Sequence, residues 1–502
     1  MTLLVKNVQI IGSDQPLPEK LDLFVSGKKI AAIGHFPNKK ADQIIDGQES
    51  FLSPGFIDVD TESDHYLSLF TDPEQEDFLK QGITTILGGL CGASLAPLIY
   101  GSLESIEEWA DTNQVNVDWH SMAEFLAHLG KKPLGVNFTT LVGHSTIRQA
   151  IIGKVPRNLT KNELAIFGGI LKKSLREGGF GFSTGLGYAQ SRETPYSEIK
   201  YLAEITAAGK GLYATHLRKT GEDLLESISE TIKITKETGV KTIISHFLPV
   251  EGEEKQYKEA LKIIEELPPE FNFHFNLYPF KKRILKLYTF LPVWAQKDDT
   301  KVMSLSLQDE WMRNKIMKDL PEINPEDFVV AQAPGNDSLV GQSLKDVRNL
   351  YSLKSNKEAL LKLMTTTNLQ AIIFYKNIDE QLMKQALKSP RSLIASDAAS
   401  FKENSKNKIL KPDRATSTFT KFLTFVEKDK LMSLEDAIRK ITYEPANKIG
   451  LKNRGLIRPG FCADLAVFKN QKVSHVVVNG QLIISDGEFI GNKSGEILKS
   501  SD

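Results

Sequence analysis

The chain has 502 residues, 41% hydrophobic and 25% charged, an ordinary globular composition with room for a large barrel or several domains. Lys plus Arg and Asp plus Glu both number 63, so there is no global basic footprint for nucleic acid or an anionic membrane. No apolar run approaches a membrane span, the first eleven residues alternate like a strand rather than a signal peptide, and Cys91 and Cys462 form no disulfide framework, so a reducing cytoplasm is expected.

Residues 1–52 read as short strands separated by turns such as Ser26-Gly27-Lys28. From Pro54 the pattern becomes strand then helix, many times over. Strand-like apolar runs fall at 55–59, 83–88, 135–142, 180–183, 212–215, 241–245, 271–277 and 392–395, with amphipathic helical stretches such as 160–177 and 221–238 between them. Eight strands alternating with helices over this length predict an α/β fold of the (β/α)8 type, a TIM-like barrel. The gap between the seventh and eighth strands is too long for an ordinary loop and carries helical patterns, so an inserted subdomain is expected at about 281–370. After 450 the chain returns to β, with Asn479-Gly480 as a hairpin turn. The expected division is a composite β-sandwich from 1–53 and 450–502, flanking a barrel at 54–449.

The residues just past each strand carry more information than the strands themselves. Asp60 and Glu62, Cys91, His144, Ser183, His216, His246, Tyr278 and Asp397 stand at the ends of the eight runs in order. In a parallel barrel those positions line the mouth, where active sites are built. Cys91, His216 and His246 make a three-ligand set for zinc, which favours thiolate and imidazole and keeps a fourth position open in catalytic sites. The alternative is a buried cysteine and two core histidines bonded to backbone; the barrel pattern favours the metal. Asp397 is the candidate general base, with a helix N-cap as the competing role. His144 either lines the pocket or sits satisfied in the core. Lys281-Lys282-Arg283 is either a solvated face or a contact for an anionic substrate. Thr184-Gly185-Leu186-Gly187 reads as a tight turn rather than a phosphate cradle.

Several segments together resemble the N-acyl-D-amino-acid deacylases of the amidohydrolase superfamily. They include Pro54-Gly55-Phe56-Ile57-Asp58, Cys91-Gly92-Ala93-Ser94-Leu95-Ala96-Pro97, Gly143-His144, Ser183-Thr184-Gly185-Leu186 and Tyr213-Ala214-Thr215-His216-Leu217-Arg218. Ser245-His246, Tyr278-Pro279, Ser396-Asp397 and Arg454-Gly455-Leu456-Ile457-Arg458-Pro459-Gly460 complete the match, which spans nearly the whole chain. The resemblance implies zinc on Cys91, His216 and His246, catalysis by Asp397, and Arg414 as a retained anchor for the substrate carboxylate. Three positions depart from the family pattern. Its His-x-His after the first strand is Asp60-Thr61-Glu62 here, a pair of carboxylates that suits magnesium, calcium or manganese at an altered second site, or no metal. Its lysine after the sixth strand is Leu248, and a serine after Tyr278-Pro279 is missing.

The expectation is therefore a hydrolase with one Zn2+ per chain, cleaving the amide bond of an N-acyl-D-amino acid or a related acyl-amino acid or dipeptide. Tyr278, Arg414, His144, Lys281 and Arg283 are the candidate substrate contacts. The alternative is a degenerate member of the fold that binds a small molecule or partner with little or no turnover.

Overall fold

Short, fully apolar runs bury on both faces, which only a parallel sheet wrapped by helices allows. In the computed structural model, which describes residues 1–500 apart from 16, 18–19, 108, 154–156, 297–299 and 403–408, those runs form eight strands. They are Phe56–Asp58, Ile83–Gly88, Asn137–Thr140 continuing into Val142–Gly143, Gly181–Gly185, Leu212–His216, Lys241–Ile244, Phe273–Leu277 and Ser392–Ile394. Each pairs in parallel with its neighbour in chain order. The eighth closes on the first: the Asp397 N–H donates to the Asp60 carbonyl at 2.8 Å and the Glu62 N–H to the Ala398 carbonyl at 2.9 Å. The result is a (β/α)8 barrel whose interior is packed with Ile57, Leu87, Phe180, Leu212, Ile243 and Leu393.

The intervening helices are set by local signals. Lys161–Arg176 begins at a reciprocal capping box in which Thr160 accepts from the Glu163 N–H and Glu163 accepts from the Thr160 N–H. Leu224–Thr238 ends at Gly239, whose φ of 71° a side chain would resist. Among the described residues no helix is long and apolar enough to cross a membrane.

The strands of both chain ends share one nine-stranded sheet, eight along a continuous hydrogen-bonded path and Gln43–Asp46 branching from it. Thr2–Ile10 is its hub: one end pairs with Gln43–Asp46, the other with Phe51–Pro54, and its flank with Leu21–Ser26. Phe51–Pro54 then receives Leu465–Lys469, which leads through Lys472–Val478 to Gln481–Ser485. The turn at Asn479-Gly480 has φ of 48° and 77°, the left-handed pair that a two-residue hairpin needs.

Between the seventh and eighth barrel strands stands an antiparallel sheet of Lys282–Lys286, Ile372–Lys376 and Phe328–Gln332, with Ile372–Lys376 in the centre. Helices including Leu344–Leu350 and Asn356–Thr366 cover it around a separate core containing Leu287, Phe290, Phe328, Leu363 and Ile373. The central strand lies past residue 370, the expected end of the insert. A five-residue apolar run declares nothing about its partners, and here those partners come from far up the chain.

Candidate active site

Three side chains arrive together from three strand ends. Cys91 lies just past the second strand, His216 closes the fifth, and His246 lies two residues past the sixth. Their ligand atoms all lie within 4.8 Å of one another. Cys91 Sγ is 3.4 Å from His246 Nε2, and the two imidazole rings are 4.5 Å apart. Among the described residues this is the group of three metal-ligand side chains so assembled. The backbone is bent to make it: Cys91, His246 and Asp397 have φ of 51°, 37° and 47°, in the left-handed region that side chains avoid.

Neighbouring elements hold the bend. Ser183, at the fourth strand, donates its hydroxyl to the Gly89 carbonyl at 2.5 Å and accepts from the Gly92 N–H at 3.0 Å, clamping the Cys91 loop from both sides. Asn276 accepts from the His246 N–H at 2.6 Å and donates to Asp60 Oδ2 at 2.9 Å. Gly187 is obligatory, since a Cβ there would stand 2.6 Å from His216 Nε2.

Burial sets the protonation states. It lowers His216 to about 3, helped by His246, and His246 to about 4, helped by Arg414. Both imidazoles are therefore neutral and ready to ligate. Burial also raises the Cys91 thiol, with Asp60 and Asp397 adding to the effect. His216 Nδ1 is buried without a hydrogen-bond partner among the described residues. An orphaned imidazole nitrogen and a thiol that needs a cation in place of its proton both fit a bound divalent metal, and one sulfur with two nitrogens is a set zinc accepts.

The opposite wall is acidic. Asp397 forms an ion pair with Arg414, which is 3% exposed and stacks over the Tyr278 ring at 4.5 Å. Asp60 is raised well above the usual carboxylate range by burial and then by Asp397. Glu62 is raised by the same two causes, against the pull of Arg414. Asp58 beneath them is structural: its carboxylate accepts from the Ser396 N–H and the Asp60 N–H, and burial raises it to about 7.

A cavity of about 450 Å³ opens over both walls. His216, His246 and Asp397 line it, as do Glu62, Tyr278, Arg283 and Arg414; Leu248 also faces it. Two expected substrate contacts lie elsewhere. His144 is fully buried, bonded through Nε2 to Glu198 at 2.8 Å and stacked on Phe167, so it joins neighbouring helices rather than touching the cavity. Lys281 turns outward to Glu380 at 3.1 Å. Cys462 is half-buried in the terminal β region.

One cavity residue is not evident from the sequence. Lys286, at the far end of the insert's first strand, places Nζ 4.4 Å from the centre of the Trp109 ring and 5.5 Å from that of Tyr188. Burial lowers it to about 7, opposed by the charge of Glu62. The sequence signal is the strand 282–286, in which a basic residue closes an apolar pair, and it is masked by the adjoining basic run Lys281-Lys282-Arg283.

An amidohydrolase family model matches residues 348–483. A D-aminoacylase from Alcaligenes xylosoxydans xylosoxydans is 28% identical over 516 residues, covering 99% of this chain and 97% of its own length. A D-aminoacylase structure concerned with a binuclear metal centre, activated by one metal and attenuated by a second, superposes with a TM-score of 0.80 at 25% identity over 99% of both chains. An N-acyl-D-glutamate deacylase from Bordetella bronchiseptica, complexed with zinc and a phosphonate mimic of the tetrahedral intermediate, superposes with a TM-score of 0.80 at 22% identity over 99% of both chains. The full-length relative and the full-length structural matches agree: the chain carries a segment matching the amidohydrolase family, has the fold of D-aminoacylase throughout, and is similar over its whole length to N-acyl-D-amino-acid deacylases.

Proposed function

We propose that this protein is a one-zinc hydrolase of the amide bond of N-acyl-D-amino acids or closely related acyl-amino acids. The observation that carries the reading is the meeting of Cys91, His216 and His246 within 4.8 Å, with the Asp397 carboxylate on the same cavity. A divalent ion held by those three side chains would supply Lewis-acid activation of water and of the scissile carbonyl. Asp397 moves the proton: its carboxylate accepts it from the attacking water and returns it to the departing nitrogen, otherwise a poor leaving group.

Arg414 positions the substrate. Its Nε is buried without a hydrogen-bond partner among the described residues, which leaves an N–H to offer a substrate carboxylate beside Asp397. Arg283, whose Nε donates to Asn377 Oδ1 at 3.1 Å, adds positive charge further along the wall. Leu217, Phe247 and Leu248 supply an apolar flank for an acyl chain. Full-length relatives that act on acylated D-amino acids support the substrate class and its chirality.

A second reading, binding without turnover, draws on the carboxylates at Asp60 and Glu62 and on Leu248 in the cavity wall. A hydrolysis panel decides between the two. The zinc-loaded protein is offered N-acetyl-D-amino acids, their L enantiomers and neutral N-acyl amides. Turnover of the D-acids above the other two sets is expected. Equal turnover of neutral amides refutes the anionic-substrate reading, and none across a broad panel favours the binder.

A further inference from the structure

Behind the arginine wall of the main cavity lies a second one, of about 230 Å³ against about 450 Å³. It stands where the insert's antiparallel sheet meets the barrel. Arg283, Ile284 and Arg414 line both spaces, so the two meet at these side chains. Phe280, Ile284, Val329 and Phe374 give the second cavity an apolar floor. Four cations, Lys282, Arg283, Lys411 and Arg414, stand around it with one acid, Asp413. An apolar body with a few converging charges is the usual make-up of a ligand site.

Three of those cations are already matched. Lys411 bonds both oxygens of Asp77 at 2.9 and 2.8 Å, Lys282 lies 3.9 Å from Asp413, and Arg414 is paired with Asp397. Arg283 has no ion pair among the described residues. Its Nε donates to Asn377 Oδ1 at 3.1 Å, which fixes the guanidinium, and neither Nη group has an acceptor there. Glu253, whose charge reaches it from the main cavity, is turned to the Gly221 N–H at 3.1 Å. Two further features favour an anion. Lys421 stands over the Phe280 ring at 3.8 Å, and the helix Asp413–Lys428 begins at the cavity without a side-chain cap on its first N–H groups.

We propose that the second cavity is a subsite for a carboxylate one residue further from the scissile amide than that of an acyl-amino acid, with Arg283 as its recognition residue, so that N-acyl dipeptides beginning with a D-amino acid and ending in a free carboxylate are preferred substrates. The inference rests on the amide-hydrolase reading above and sets the length of its amine half. An N-acyl-D-amino acid ends at its carboxylate, beside Arg414. One more residue carries the next Cα about 3.8 Å on, and the carboxylate with it. Arg414 lines both cavities, so the way past it follows the main chain rather than the side chain. The inner peptide carbonyl still accepts from Arg414 Nε, and the terminal carboxylate meets the two Nη groups of Arg283 as a bidentate pair. The reaction is unchanged: water adds to the acyl carbonyl, the C–N bond breaks, and a water proton passes to the nitrogen. The products are the acyl group's carboxylic acid and the free dipeptide.

The test compares zinc-loaded wild type, Arg283→Met, Arg283→Lys and Val329→Trp on four substrates: N-acetyl-D-leucine, N-acetyl-D-leucyl-glycine, its glycinamide counterpart and N-acetyl-D-glutamate. Acetate release gives kcat/KM, and circular dichroism reports folding. In wild type the glycine dipeptide should exceed both N-acetyl-D-leucine and the glycinamide by about tenfold or more, since a carboxylate on a partly buried guanidinium makes charged hydrogen bonds. Arg283→Met should bring the ratio of glycine dipeptide to glycinamide to about one. Arg283→Lys, which keeps the charge without the fork, should keep part of the preference. Val329→Trp fills the cavity from the insert's sheet and should lower the dipeptide relative to N-acetyl-D-leucine, which tests the inference even if Arg283→Met does not fold. Equal kcat/KM for the glycine and glycinamide dipeptides in wild type, or a preference that survives Arg283→Met, would overturn it. So would an Arg283-dependent gain for N-acetyl-D-glutamate alone, which would put the second carboxylate on the side chain. Cleavage of N-acetyl-D-leucine with neither dipeptide cleaved overturns this inference and leaves the hydrolase reading standing; no acetate from any substrate overturns both.

Discussion

Replacing Asp397 by Asn keeps the shape of the side chain and removes its charge, which separates two roles that one residue holds. Asp397 and Arg414 have side chains 12% and 3% exposed and form a buried ion pair. Removing one partner of such a pair costs about 3–5 kcal/mol, because the other charge stays buried. The lower end applies here, since Arg414 keeps the Tyr278 ring at 4.5 Å and the charge of Glu62 acts on it as well. Loss of the proton acceptor should independently lower kcat by about 10²–10⁴-fold. Urea midpoints, zinc content and steady-state kinetics on the same preparations read the two effects apart. Arg414→Met is the control: it also breaks the pair and loses comparable stability, but it keeps the carboxylate and should raise KM more than it lowers kcat. Asp60 and Glu62 are the competing bases, so the Asp60→Asn/Glu62→Gln variant is measured alongside. If zinc-loaded Asp397→Asn retained near-full turnover while that double variant were inactive, the base would belong to the first strand and the assignment would be wrong.

Zinc binding at pH 7 should release about one proton, from the raised Cys91 thiol, because both histidines are already neutral; calorimetry in buffers of different ionisation enthalpy counts it, and no release would contradict the thiolate ligand. Gly187→Ala should weaken metal binding while the protein stays folded, because the new Cβ meets His216 Nε2 at 2.6 Å, and unchanged affinity would show that the ring has room to move. His274 is lowered from 6.5 to about 2 by burial, with Lys448, Arg391 and Lys440 adding to the effect. The unfolded chain therefore takes up that proton first, and stability falls as pH drops below 6.5. His274→Gln should flatten the decline by up to about 1.4 kcal/mol per pH unit, read from urea midpoints between pH 6.5 and 4.5.

The barrel was legible because each of its strands is an apolar run that stops at a polar residue, and a parallel sheet imposes that pattern. Cys91, His216, His246 and Asp397 could be picked out for the same reason: strand ends in a barrel converge, whatever their distance in sequence. The features that did not announce themselves depend on partners from other elements. His144 comes after the third strand as Cys91, His216 and Asp397 come after theirs, but Glu198 on the helix Tyr196–Ala208 captures it, and a period of hydrophobicity says nothing of that pairing. Lys281 and Arg283 are two residues apart in one basic run, yet one turns to Glu380 and the other to the cavity. Lys286 meets the cavity beside Trp109 and Tyr188, which come from the loops after the second and fourth strands.

The central claim, that a single zinc on Cys91, His216 and His246 drives amide hydrolysis, is tested most directly by restoring metal to the stripped enzyme. Zinc is added back in fractions of an equivalent, and hydrolysis of an N-acetyl-D-amino acid is monitored at each step. The account predicts activity rising in proportion to bound zinc and levelling at one equivalent per chain, with Cys91→Ser showing neither tight binding nor the rise. Activity in the stripped enzyme, or a rise only beyond the first equivalent, would contradict it.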